Sequence, residues 1–238
     1  MLEWLLASID PGRPHEVGAV ISWHARLMTL AWGLLAPSVV LIARFFKVLP
    51  GQNFPKELDN QFWWKTHLYG QIAVLVLTVL AFGLILSARS AQIGVHGVLG
   101  YTVLLCLALQ VTLGFARGSK GGPTDPRPDG SLRGDHYDMT RWRLFFEHAH
   151  KTLGYLTLAV AATTIVAGLW LSNAPRWMWL AILSWWAMLG FTFITLQKRG
   201  WAIDTYQAIW GQDPRHPGNR RPSPGWGMRR TQDRQPGE

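Results

Sequence analysis

The chain is nearly devoid of cysteine: among 238 residues only Cys106 is present, and it lies inside an apolar run. That excludes a disulfide framework and a thiolate metal site, and it leaves the redox compartment unreadable from cysteine. Carboxylates are also scarce, 14 against 23 Lys and Arg, and none falls in the interior of a long apolar run; Glu147 stands at the edge of one. Proton and cation paths through a bilayer ordinarily use such a carboxylate, so its absence weighs against a haem-free transporter or channel. The net charge of +9 does not gather on one soluble face either. Its basic residues lie between apolar runs and toward the C-terminus, which speaks against a nucleic-acid partner.

What the sequence does have is apolar length. About half of it is apolar, yet mean hydropathy is only +0.09, because basic, Pro- and Gly-rich stretches dilute the apolar runs. Many of the 14 Trp fall near the ends of those runs, where an indole suits the headgroup region of a lipid bilayer. Five runs have spanning length: Ala19 to Phe46, Phe62 to Ser87, Ala91 to Ala116, Phe145 to Leu171 and Trp177 to Leu196. The expected fold is all-α, an integral membrane helical bundle of five transmembrane helices. Residues 1–18 form an N-terminal segment, 19–196 the membrane domain with its core at 19–171, and 197–238 a basic tail. Met1 to Ile9 is apolar but too short to span and lacks a positive n-region, so it reads as a surface-lying segment. Pro37 predicts a kink in the first run, tolerable where a neighbour covers the freed carbonyl.

Eighteen Lys and Arg lie in the first and third connections and the tail, against three (Arg13, Arg89, Arg176) in the N-terminal segment and the other connections. That imbalance predicts a multi-pass protein of the cell inner membrane, with its N-terminus outside and its C-terminus cytoplasmic. The tail from Lys198 is expected to be mobile or partner-dependent.

His24, His67, His96 and His150 each stand near the start of one of the first four runs. Successive spans alternate in direction, so His24 and His96 are expected in an outer layer and His67 and His150 in an inner one. An imidazole at membrane depth needs a partner, and two facing imidazoles can supply both axial ligands of a haem iron. Two haem b groups result, about 20 Å apart if each ligand sits one turn inside a core of roughly 30 Å. Gly114 and Gly168 follow His96 and His150 by the same eighteen residues, and Gly100 and Gly154 by four, in His96-Gly-Val-Leu-Gly100-Tyr101 and His150-Lys-Thr-Leu-Gly154-Tyr155. Glycines on the histidine face let a flat macrocycle lie against the backbone. His148 is the competitor for His150, about 200° around the helix, and the glycine register favours His150. His15, His136 and His216 read as surface residues, and Cys106 and the span threonines as packing groups. Gln110 reads as helix-to-helix glue, with a hydrogen bond near the inner layer as its other reading. Arg26, Lys65, Arg143 and Lys151 read as partners of haem propionates, the inner three alternatively as positive-inside anchors.

From Ser22 to Leu171 these residues resemble the cytochrome b561 family of transmembrane electron carriers, which have four core helices and two haems ligated by histidines of alternate helices. That resemblance implies a four-helix dihaem core in which His24 pairs with His96 and His67 with His150. It also implies electron transfer between a donor (a quinol, an ascorbate-like reductant or a protein) and an acceptor such as a partner redox protein, possible enzyme activities being ferric, ascorbate-type or quinol-type reduction. The stretch Leu41-Ile-Ala-Arg44-Phe-Phe-Lys47 is similar to the Arg-containing one near the family's ascorbate site. Five spans and no fused outer redox domain look like a stand-alone bacterial member. The competing expectations are a haem-bearing subunit of a larger dehydrogenase or reductase that exchanges electrons with quinone, and a haem-free structural anchor.

Overall fold

The computed structural model describes residues 1–88, 94–117, 141–220, 222–223 and 225–230. The fold is helical, and no strand forms among the described residues. Five helices are long and apolar enough to cross a membrane: α2 (Ala19–Phe45), α3 (Phe62–Ser87), α4 (Val95–Ala116), α5 (Arg141–Leu171) and α6 (Arg176–Lys198). Two short helices flank them, α1 (Leu2–Leu6) and α7 (Thr205–Trp210). The expected start of the third span at Ala91, and with it Arg89, lies outside the described residues, as do His136 and much of the third connection. Large apolar side chains on the long helices face outward, including Val79, Leu105 and Phe191. That is the pattern of a chain solvated by hydrocarbon rather than water.

The chain divides into two compact units, and each of α2 to α6 contributes residues to both. Unit one gathers Met1–Val39, Leu68–Leu109 and Tyr155–Thr192. Its N-terminal segment is clamped by the α5 to α6 connection: Asn173 donates to the carbonyls of Asp10 and Arg13 and accepts from the Asp10 amide, and the Arg176 amide donates to the Ala7 carbonyl at 3.1 Å. Leu2, Trp4 and Leu6 stay exposed. In α2, the turns at Thr29–Leu35 widen to π geometry just before Pro37. Proline has no N–H to give to the carbonyl four residues back, that of Gly33. The Trp186 indole N–H fills the gap, donating to Gly33 O at 3.0 Å. A side chain at Gly33 would meet Ile182 Cδ1 at 3.0 Å, so this glycine serves close approach of α6.

Unit two gathers Val40–His67, Gln110–Gly154 and Phe193–Glu238. Here the described residues of the tail, expected to be mobile or partner-dependent, are packed and hydrogen-bonded. Asp204 caps α7 by accepting from the Tyr206 amide at 3.0 Å and holds Arg230 at 2.6 Å, while Ile209 and Trp210 pack on Trp63. His216, expected at the surface, is buried beside the rings of Tyr206 and Trp210. The tail is rich in Pro and Gly, but it also carries Trp201, Ile203, Tyr206, Ile209 and Trp210, enough apolar surface to offset the entropy of ordering it.

Candidate functional site

The structure brings the four span histidines together as two pairs. In unit one the rings of His24 and His96 lie 6.3 Å apart between centroids, with planes at 85°. In unit two His67 and His150 lie 6.2 Å apart at 81°. A metal to imidazole-nitrogen bond is about 2 Å and a ring nitrogen lies about 1 Å from its ring centre, so two imidazoles sharing one ion have centroids about 6 Å apart. Both pairs have that spacing. No group of three or more His, Cys, Asp or Glu gathers among the described residues, so a macrocycle would supply the remaining ligands.

The unit-one rings are oriented by backbone. His24 Nδ1 is 2.9 Å from the Ala81 carbonyl, and His96 Nδ1 is 3.0 Å from the Thr164 carbonyl. An Nδ1–H donated to a carbonyl fixes the tautomer and leaves Nε2 with its lone pair for a metal. Ala81 stands fourteen residues after His67, and Thr164 fourteen after His150. Backbone acceptors leave no residue-type signature, and this constant spacing is the one signal by which they could have been found.

The unit-two rings are set among side chains. Phe146, one turn before His150, stacks on its ring at 5.1 Å and 23°, and the Arg143 guanidinium lies over the Phe146 ring, 5.0 Å from its centroid. Glu147 binds both Arg143 (2.8 Å) and Lys151 (2.6 Å). Those two cations, read above as anchors or propionate partners, thus share a protein carboxylate. His148 is exposed. Arg26 is exposed over the Trp23 ring, and Lys65 is exposed.

Arg44 and Lys47 do not form an open basic face. Arg44 donates to Gln197 Oε1 (2.9 Å) and the Trp226 carbonyl (2.7 Å), and Lys47 to the carbonyls of Arg44 (3.0 Å) and Ile203 (3.1 Å). Only 3% of Lys47 is exposed. Desolvation, reinforced by the charges of Lys151 and Arg44 against those of Asp204 and Glu147, pushes its ammonium down to about 7.

The four glycines differ in what lies over them. A Cβ at Gly100 or Gly114 would meet nothing within 4 Å, at Gly154 it would lie 3.4 Å from Gln110 Nε2, and at Gly168 it would lie 3.0 Å from His96 Cε1. Gly168 therefore makes room for an imidazole. Gly83 and Gly190 are as open as Gly100 and Gly114, so what distinguishes the latter two is their register with His96.

Three curated proteins resemble this chain. A ferric-chelate reductase of Xenopus laevis is 33% identical over 138 residues, 54% of this chain and 21% of its own. Two Arabidopsis thaliana proteins are 25% identical over 65% of this chain and 26% identical over 76% of it; the first is named for cytochrome b561, DM13 and DOMON domains, the second for cytochrome b561 and DOMON domains. The chain spans only 15% and 39% of their lengths. No protein-family model and no solved structure matches. These names, at low identity, support a likeness to the cytochrome b561 family, and the five long apolar helices fit a multi-pass membrane protein.

Proposed function

We propose that the protein is a dihaem b-type cytochrome that carries electrons across the inner membrane. The observation that carries this reading is the doubled histidine pair, each at the centroid spacing of two imidazoles on one metal ion. His24 and His96 would hold one haem b, His67 and His150 the other. A haem with both axial positions filled by protein exchanges single electrons and has no open site for oxygen chemistry. The chain's own residues do the rest. The Ala81 and Thr164 carbonyls orient the first pair, and Phe146 stacks on His150 of the second. Gly100 and Gly114 leave backbone against which a macrocycle can lie. By charge, the first pair faces the outer side and the second the cytoplasm. A haem held by His67 and His150 would face a cytoplasmic donor (a quinol, an ascorbate-like reductant or a protein), and one held by His24 and His96 would face an acceptor outside.

The test is a visible spectrum of the detergent-purified protein, oxidised and dithionite-reduced, with a pyridine haem assay, on wild type, His24→Ala and His150→Ala. Two low-spin b haems per chain, with a different one lost in each variant, are expected. A well-expressed but colourless wild type would discard the reading in favour of transport or an anchoring role.

A further inference from the structure

The register that seats the first pair also points to an unassigned residue at the second. The acceptors for His24 and His96, Ala81 and Thr164, each follow a histidine of the other pair by fourteen residues, about four helical turns. The residue fourteen after His96 is Gln110. Its side chain lies against His150, with Nε2 donating to the His150 carbonyl at 2.9 Å. Among the described residues its Oε1 is buried without a hydrogen-bond partner, and so is His150 Nδ1. A buried polar group left without a partner is costly. Here an orphan acceptor and an orphan ring nitrogen belong to two residues already tied to each other. Small residues make room at both contacts: a Cβ at Gly168, four after Thr164, would lie 3.0 Å from His96 Cε1, and one at Gly154, four after His150, would lie 3.4 Å from Gln110 Nε2.

Resting on the dihaem reading, we propose that Gln110 is the positioning residue of the second pair, its Oε1 accepting from His150 Nδ1–H. A side chain would then do for His150 what the Thr164 carbonyl does for His96. The bond fixes the tautomer that presents Nε2 to the iron. It also makes the imidazole a more basic ligand, which favours the ferric state.

The experiment is a potentiometric titration of the haem-loaded protein, followed by absorbance, with electron paramagnetic resonance of the ferric low-spin signals. It compares wild type, Gln110→Leu and Gln110→Glu, and uses His150→Ala to identify the haem of the second pair. Gln110→Leu is expected to raise the midpoint potential of that haem alone, by an about tenfold shift of its reduction equilibrium or 59 mV for a one-electron couple. Gln110→Glu keeps an oxygen acceptor and is expected to leave the potential at or below the wild-type value. Equal movement of both haems, or of neither, would overturn the assignment. Should Gln110→Leu lose the haem altogether, its retention in Gln110→Glu with a wild-type ferric signal supports the hydrogen bond, and its loss there overturns it. A wild type with no haem sinks the dihaem reading as well, whereas two haems with unmoved potentials sink only the role of Gln110.

Discussion

In unit one, two backbone carbonyls hold the rings of His24 and His96. In unit two, the His67 and His150 rings have nearly the same mutual geometry, but their neighbours are Phe146, Gln110 and an ionic cluster of Arg143, Glu147 and Lys151. A carbonyl cannot be substituted away, so the fold itself fixes the first pair. The second pair is set by side chains and charges, which respond to substitution, to pH and to whatever docks nearby. One ring geometry is thus maintained by two kinds of support, and they should fail differently.

The sharpest break in that comparison is expected from Gly168→Val. A Cβ there already lies 3.0 Å from His96 Cε1, and the added methyls would drive the ring off the Thr164 carbonyl. Haem content should fall from two per chain to one, with the second pair's spectrum unchanged. Gly114→Val is the counterpart in unit two, where a Cβ meets no protein atom within 4 Å. Haem loss there, with helix content intact, would mean that the macrocycle lies on that backbone. Full haem retention in both variants would refute the proposed roles of the two glycines.

A smaller effect is expected from Asp204→Ala. The substitution removes the α7 cap and leaves the mostly buried Arg230 without its 2.6 Å partner. Local stability should drop by roughly 3 kcal/mol. Hydrogen exchange should quicken through residues 202–210 and leave unit one untouched; unchanged protection would mean that the tail is held by its apolar contacts alone.

The smallest effect concerns pH. Lys47 titrates near 7 when folded and near the ordinary 10.5 when unfolded. As pH falls from about 10 to 7, the unfolded chain takes up a proton that the folded one does not, so stability declines across that window and levels off below it. Lys47→Met should flatten this slope in thermal unfolding, with its largest relative gain at pH 7 or below. A pH profile parallel to the wild type would show that Lys47 does not titrate in that range.

Much of this architecture was legible in the chain. The bounds of α3 follow directly from an uninterrupted apolar run, and the four histidines stand out because imidazole is rare at membrane depth. The eighteen-residue register of Gly114 and Gly168 favours His150 over His148, and His148 is exposed. What lies over Gly168 was not legible, since glycine spacing records that room is needed but not for which group. The supports of His24 and His96 escaped because a main-chain carbonyl is common to every residue. The tail escaped for a compositional reason. Its Pro and Gly outweigh Trp201, Ile203 and Trp210 in any average, yet those side chains, with Asp204 and Arg230, are what order it.

The folded tail also bears on how the protein should be handled. Residues 225–229 lie over Arg44, Lys47 and Lys151: the Trp226 carbonyl accepts from Arg44, the Gly227 carbonyl from Gln197, and a Cβ at Gly225 would sit 3.4 Å from Lys151 Nζ. A truncation after Leu196, where the last apolar run ends, would strip acceptors from two cations at the end of α2 and expose an ionic cluster one turn from His150. Such a minimal membrane fragment would not be a smaller copy of the whole. An affinity tag is better placed after Glu238 than spliced in at residue 197.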